Sequence, residues 1–184
     1  LSLQLTLDLP DWLAEAVEPG RAYPSDADKV GLAIALSRLN IEHASGGPFG
    51  AAVFDGADRL VAAGVNRVVS QNCSVAHAEI MAYLAAQQAL GRFRLNETGQ
   101  PHVLATSAQP CCQCYGATVW AGVDTLLIGA RSEDVEALTE FDEGPLPADW
   151  IGELERRGIA VRRDILREQA CAVLAHYGAH GPHY

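Results

Sequence analysis

The sequence predicts an α/β domain, in which one mixed sheet carries helices on both faces. Two short apolar runs, 50–55 and 59–66, flank Gly56-Ala57-Asp58, which is the turn chemistry of a β-hairpin. Beyond the hairpin, strand-like stretches alternate with stretches of helix length, which calls for parallel strands joined by helical crossovers. No internal repeat or low-complexity segment interrupts the pattern, so 1–184 is expected to form a single domain.

In order, 1–25 is expected to be an irregular lead-in holding a short helix, punctuated by Pro10, Pro19, Gly20 and Pro24. Ser25 or Asp26 caps the next helix, whose Val30, Ile34, Leu36, Leu39 and Ile41 recur at roughly helical spacing. Ser45-Gly46-Gly47-Pro48 ends it, because proline bars continuation. After the hairpin come a loop over 67–74, a helix over 75–90 and a strand over 102–106. Pro110-Cys111 then opens a helix that reaches Ala121, because a first turn does not need the N–H that proline lacks. A strand over 124–130 and a short helix over 133–139 precede the broken loop 141–147. A helix centred on Ile151 and Leu154 stops at Gly158, a last strand covers 159–162, and the final helix covers 165–177. The remainder, 178–184, is expected to be a tail without structure of its own unless it docks.

A chain of 184 residues buries roughly 70% of its unfolded surface, enough to need no disulfide framework. The five cysteines are an odd number, and three of them fall within four positions. That usage suits reduced thiolates in a cytoplasmic protein. Leu1 to Leu7 lacks the basic flank of a signal peptide, and no apolar run is long enough to span a bilayer; the missing Met suggests that a few leading residues are absent. The net charge of −10, from 13 basic and 23 acidic residues, makes a poor phosphate-binding surface. Arg156, Arg157, Arg162, Arg163 and Arg167 cluster late, at a spacing suited to a solvated helix face and strand edge. A small neutral substrate therefore fits better than a nucleic acid.

The chemistry concentrates in His77-Ala78-Glu79 and Pro110-Cys111-Cys112-Gln113-Cys114. Cys111 and Cys114, three apart at a helix start, place both sulfurs on one face, whereas Cys112 points about 100° away. The positive end of that helix favours deprotonated sulfur. His77, at the start of another helix, supplies a third ligand, and three ligands leave zinc a fourth position for water. Zinc lowers the pKa of such a water to about 7. Glu79 stands where it can take the water's proton and pass it to a ring nitrogen and then to a departing amine. Those parts together are what hydrolytic deamination of a C–NH2 carbon requires.

Taken singly, the His-Ala-Glu triplet is also an ordinary helix-surface sequence, and Cys-x-x-Cys also serves structural zinc and redox pairs. A closed structural site would need a fourth ligand, for which Cys73 is the nearest candidate; Cys73 and Cys171 otherwise suit buried apolar positions. A non-catalytic zinc module or a redox protein is thus the rival of a different class.

The pairing of H-x-E with P-C-x-x-C resembles the signature of zinc-dependent nucleobase deaminases. Gly46-Gly47-Pro48-Phe49-Gly50, Gly64-Val65-Asn66-Arg67, Ala76-His77-Ala78-Glu79-Ile80 and the cysteine segment follow the order seen in the cytidine deaminase-like superfamily. The stretches 130–136 and 141–145 resemble bacterial guanine deaminases, including a subgroup that also accepts aminotriazines. The resemblance runs from about Val30 to the C-terminus. It implies a three-layer αβα sandwich with a five-stranded mixed sheet, zinc held by His77, Cys111 and Cys114, and Glu79 as proton shuttle. It further implies that Asn66 hydrogen-bonds the base, that Phe49 borders it, and that the chain forms a homodimer in which the tail, ending in Tyr184, reaches the partner's site. Gln109 departs from the glutamate common at that position, so a cap or ion pair relying on that charge is weakened.

Glu143 is the informative residue outside the motifs. A carboxylate only accepts hydrogen bonds, so it suits a ring edge presenting N–H and NH2 donors, as guanine and aminotriazines do. Adenine and cytosine place an acceptor nitrogen beside the amine and meet a carboxylate badly. Glu143 is therefore expected to bind the substrate and to assist proton transfer. The expected activity is hydrolysis of guanine to xanthine and ammonia, with aminotriazines such as ammeline as further substrates. A cytosine or nucleoside deaminase is the alternative, and tRNA adenosine deamination is disfavoured by the charge.

Overall fold

The computed structural model describes residues 4–181. Their elements are α1 (Trp12–Ala16), α2 (Asp26–Glu42), β1 (Gly50–Asp55), β2 (Leu60–Val65), α3 (Ala78–Leu90), β3 (His102–Ala108), α4 (Cys112–Ala121), β4 (Thr125–Ala130), α5 (Ser132–Leu138), α6 (Trp150–Glu155), β5 (Ala160–Arg162) and α7 (Arg167–His180). The strands form one sheet in the order β2-β1-β3-β4-β5. β1 is antiparallel to both β2 and β3, while β3, β4 and β5 are parallel, so the expected five-stranded mixed sheet is present.

Alternation along the strands divides the core. Ala52 and Phe54 of β1, with Leu127 of β4, face α2, α5 and α7; Ala51 and Val53, with Leu126 and Ile128, face α3, α4 and α6. Three layers result. Ser25 is the cap of α2: its hydroxyl accepts from the Asp28 N–H at 3.0 Å, and the Asp28 carboxylate accepts from the Ser25 N–H at 3.0 Å.

The topology gathers four chain segments at one sheet edge. Because β1 runs against β3, its start lies beside the end of β3, where Ala51 pairs with Thr106. The hairpin brings the end of β2 to the same edge, with Gly50 paired to Val65. Parallel pairing adds the end of β4, with Ala108 opposite Ala130. Ligand sites in open α/β sheets lie outside the carboxyl ends of such strands.

Two expectations are corrected. Residues 178–180 are not a tail but the last turn of α7. Tyr177, buried at 4% exposure, stacks on Phe141 at 5.8 Å, and this packing carries the helix past Gly178 despite glycine's poor propensity. The helix expected from Val75 begins at Ala78, because Ser74 and Val75 lie in a turn closed by the Ala76 N–H on the Cys73 carbonyl, and the Ala76 carbonyl is taken by the Arg67 N–H. Four of the late arginines pair with carboxylates of this chain: Arg156 and Arg157 with Glu153, Arg162 with Asp26 and Arg167 with Asp134. Among the described residues, no helix is long and apolar enough to cross a membrane.

Candidate active site

Two helix N-termini meet at the gathered edge. His77 is the N-cap residue of α3 and Cys111 that of α4, both with extended backbone, so the side chains leave each helix at its first orphan N–H groups. Cys114 follows one turn into α4 and is fully buried. The Cys111 and Cys114 Sγ atoms lie 3.4 and 3.6 Å from His77 Nδ1, and all three donor atoms lie within 4.8 Å of one another. Zn–S bonds of about 2.3 Å and Zn–N bonds of about 2.0–2.1 Å at tetrahedral angles separate N from S by about 3.5 Å. The three side chains are thus already spaced for zinc. Cys112 and Cys73 stand outside this group, which leaves one coordination position for a non-protein ligand.

The electrostatics of the site call for a cation. A hydrogen bond from Cys114, helped by His77, brings the Cys111 thiol down to about 4, while the same bond, together with burial, pushes Cys114 up. His77 is raised, first by its hydrogen bond to Cys111. Burial, then the Cys111 charge, pushes Glu79 up to about 7 and Glu143 up to about 8. Two thiols and two carboxylates sit too close to ionise together, and a dication among them favours the ionised forms. With two thiolates and one neutral imidazole, zinc would be formally neutralised.

Glu79, 6% exposed, lies on the first turn of α3, where its Oε2 accepts from Cys114 Sγ at 3.2 Å. Behind the thiolates, the Tyr83 hydroxyl of α3 donates to Thr118 Oγ1 of α4 at 2.9 Å, and Thr118 donates to the Cys114 carbonyl at 2.8 Å. That buried chain ties the two ligand-bearing helices together.

A cavity of about 160 Å³ opens over these groups. It is small beside the roughly 300–1,000 Å³ pockets of drug-sized ligands, which suits a single ring system. Phe49, Asn66, His77, Glu79, Cys111 and Glu143 all line it, so six of the residues singled out in the sequence share one space. The Asn66 Oδ1 accepts from the backbone N–H groups of Gly47 at 3.2 Å and Val68 at 3.3 Å, which fixes the orientation of the amide. Glu143 is 8% exposed, on the loop after α5. Tyr184 lies outside the described residues.

The sequence reading missed several participants. Phe141 packs its ring on Phe49 at 5.4 Å and on Tyr177 at 5.8 Å, forming an aromatic wall from the cavity to α7. Asn40, fully buried on α2, donates through Nδ2 to the carbonyls of Gly47 at 2.8 Å and Asn66 at 2.9 Å. An asparagine within the helical pattern just before Gly46-Gly47 was the available signal. Gln109, by contrast already noted in the sequence for its departure from glutamate, also lines the cavity and donates to Ser132 Oγ at 3.2 Å.

Residues 25–130 match the cytidine and deoxycytidylate deaminase zinc-binding region. A solved guanine deaminase from Nitrosomonas europaea is 45% identical, with a TM-score of 0.91, over 97% of this chain and 98% of that one. A solved asparagine-substituted protein in complex with 8-azaguanine is 46% identical, also at 0.91, over 96% of this chain and 98% of that one. The guanine deaminase of Bacillus subtilis (strain 168) is 36% identical over 112 residues, which is 60% of this chain and 67% of that protein. Zinc is the metal of the matched region, and the donor set described above fits it. The matched region takes in α2 through β4, including both ligand-bearing helices, and the chain belongs to the cytidine and deoxycytidylate deaminase zinc-binding family.

Proposed function

We propose that this enzyme hydrolyses guanine to xanthine and ammonia. One observation carries the choice of substrate: a buried carboxylate, Glu143, lines the same small cavity as the zinc ligands and Glu79. A carboxylate accepts hydrogen bonds only, and the guanine edge presents adjacent ring N–H and NH2 donors. The solved relative in complex with 8-azaguanine supports the reading, because that compound keeps the same donor edge.

In this reading His77, Cys111 and Cys114 hold zinc, which when bound makes water acidic enough to react near neutral pH. Glu79, buried beside Cys114, accepts the proton of the attacking water and delivers it to the ring and then to the departing ammonia. Asn66, with its amide held by Gly47 and Val68, hydrogen-bonds the base, and Phe49 borders the ring. Glu143 accepts from the donor edge and assists proton transfer. Water adds to the amine-bearing carbon and ammonia leaves, so the atoms balance without a further reactant. Free thiols at all five cysteines support a reducing, cytoplasmic setting for a single-domain enzyme. Exposed Leu84, Phe93 and Trp120 support a homodimer.

The test is ammonia release from guanine, ammeline, cytosine and cytidine by zinc-loaded protein. Guanine is expected to be the best substrate, with ammeline second. Glu79→Gln is expected to retain zinc and lose about 10²–10⁴ in turnover, the usual contribution of a proton-transfer group. Rapid release from a pyrimidine with none from guanine would overturn the assignment.

A further inference from the structure

The loop that carries Glu143 rests directly on the helix that carries the zinc thiolates. The Cys112 N–H, in the first turn of α4, donates to the Glu143 carbonyl at 2.9 Å. The next residue, Gly144, has φ +67, and its N–H donates to Asp142 Oδ1 at 2.8 Å. A Cβ at Gly144 would stand 2.6 Å from Cys112 Sγ and 3.3 Å from Cys112 Cβ. The exposed Cys112 thiol can swing aside, but its Cβ is fixed to the helix, and a side chain at this φ is strained in any case. The loop comes this close to the zinc-binding turn because position 144 has no side chain.

We propose that Gly144 is a positioning residue for the reaction: its bare α-carbon, seated on Cys112, fixes where the Glu143 carboxylate stands relative to the zinc ligands. The inference rests on the reading of Glu143 as the carboxylate that binds the substrate edge. Cys111 and Cys114 flank Cys112, so one helical turn sets the metal and the loop carboxylate together. Any side chain at 144 lifts the loop from that turn and lengthens the Cys112–Glu143 hydrogen bond. A displacement of about 1 Å at a reacting centre lowers activity by about 10²-fold.

The experiment is a double-mutant cycle on zinc-loaded protein, with guanine kcat/KM and zinc content measured for wild type, Gly144→Val, Glu143→Gln and the double variant. Gly144→Val is expected to keep one zinc per chain and to lose at least about tenfold in kcat/KM. In the Glu143→Gln background the same substitution is expected to change kcat/KM by less than about twofold, because the group it positions is already altered. An equal loss in both backgrounds, or no loss in the wild-type background, would overturn the inference. If Glu143→Gln alone leaves guanine turnover unchanged, the reading of Glu143 fails instead, and the two failures are distinguished. Should Gly144→Val fail to fold, Cys112→Leu crowds the same contact from the exposed helix side without altering the loop's φ. It is judged by the same cycle, with the same outcomes supporting or overturning the inference.

Discussion

Gly64→Ala tests whether the metal site depends on how closely α3 lies on the sheet. Gly64 is in β2, and a Cβ there would lie 2.3 Å from the Ala82 nitrogen, 2.4 Å from the Ala78 carbonyl oxygen and 2.9 Å from the Met81 carbonyl carbon. All three are backbone atoms of α3, so no side chain can rotate away. Carbon needs about 3.5 Å to a neighbouring heavy atom, so α3 must retreat by about 1 Å. Overpacking of this kind costs about 1–3 kcal/mol. At about 2–4 °C per kcal/mol for a chain of this size, Tm is expected to fall by about 2–12 °C. His77 rides on the first turn of α3, and its 3.4 and 3.6 Å separations from the sulfurs already match tetrahedral zinc, so the same retreat opens the site. Zinc content by mass spectrometry of the dialysed protein is expected to fall below one per chain. Gly116→Ala on α4 is the control, because a Cβ there meets nothing within 4 Å. It is expected to be stabilising by about 0.5–1 kcal/mol, the usual gain of alanine over glycine inside a helix. A Gly64→Ala protein with unchanged Tm and full zinc would refute the reasoning.

Two further substitutions probe the frame around the site. Asn40→Ala leaves the buried carbonyls of Gly47 and Asn66 without the donors seen at 2.8 and 2.9 Å, and is expected to cost about 1–3 kcal/mol in denaturant unfolding and to lower guanine turnover by loosening Asn66. Asp134→Asn removes a carboxylate that accepts from Arg167 and from the Arg131 N–H, contacts that hold its pKa down to about 2. A depressed folded-state pKa contributes stability above the unfolded value, near 3.8, and loses it as pH falls through about 2. After discounting for solvent screening, the variant is expected to be about 1 kcal/mol less stable at pH 7, with the difference vanishing toward pH 2 in urea titrations.

How much of the site can be read from sequence follows from how local each feature is. Cys111 and Cys114 share a face because one helical turn separates them, and His77 and Glu79 are fixed by the first turn of α3. Such spacing survives any tertiary arrangement, so it can be read before the fold is known. Phe141, Asn40 and the Tyr83–Thr118 bond act through contacts between separate elements, and apart from the asparagine in the α2 pattern nothing local announces them. Two element ends that fall elsewhere than the pattern suggests have the same origin. β3 runs to Ala108 rather than Thr106 because Ala108 pairs with Ala130 of β4, and α3 starts late because Ser74 and Val75 are in a turn and the Ala76 carbonyl is taken by the Arg67 N–H. Strand and helix ends were decided by partners, whereas their middles were decided by pattern.

The cavity's charge bears on which substrates it can hold. Among the described residues its lining has three carboxylates, Glu79, Asp142 and Glu143, and no lysine or arginine. One dication at His77, Cys111 and Cys114 is matched by the two thiolates, so it leaves the carboxylates without a net positive counterpart. A phosphate brought into this space would meet like charge on several sides and no guanidinium to receive it. A neutral base meets no such barrier and gains hydrogen bonds from the acceptor-rich wall. Gln109 takes on a specific role in this setting. It stands within the lining, 4% exposed, where a glutamate would add a further buried carboxylate to Glu79 and Glu143, whose ionisation burial already opposes. As an amide it donates to Ser132 instead, something a carboxylate cannot do unless protonated. An amide at this position therefore keeps the negative charge around the site lower while leaving the side chain anchored, an arrangement that suits an uncharged base better than a nucleotide.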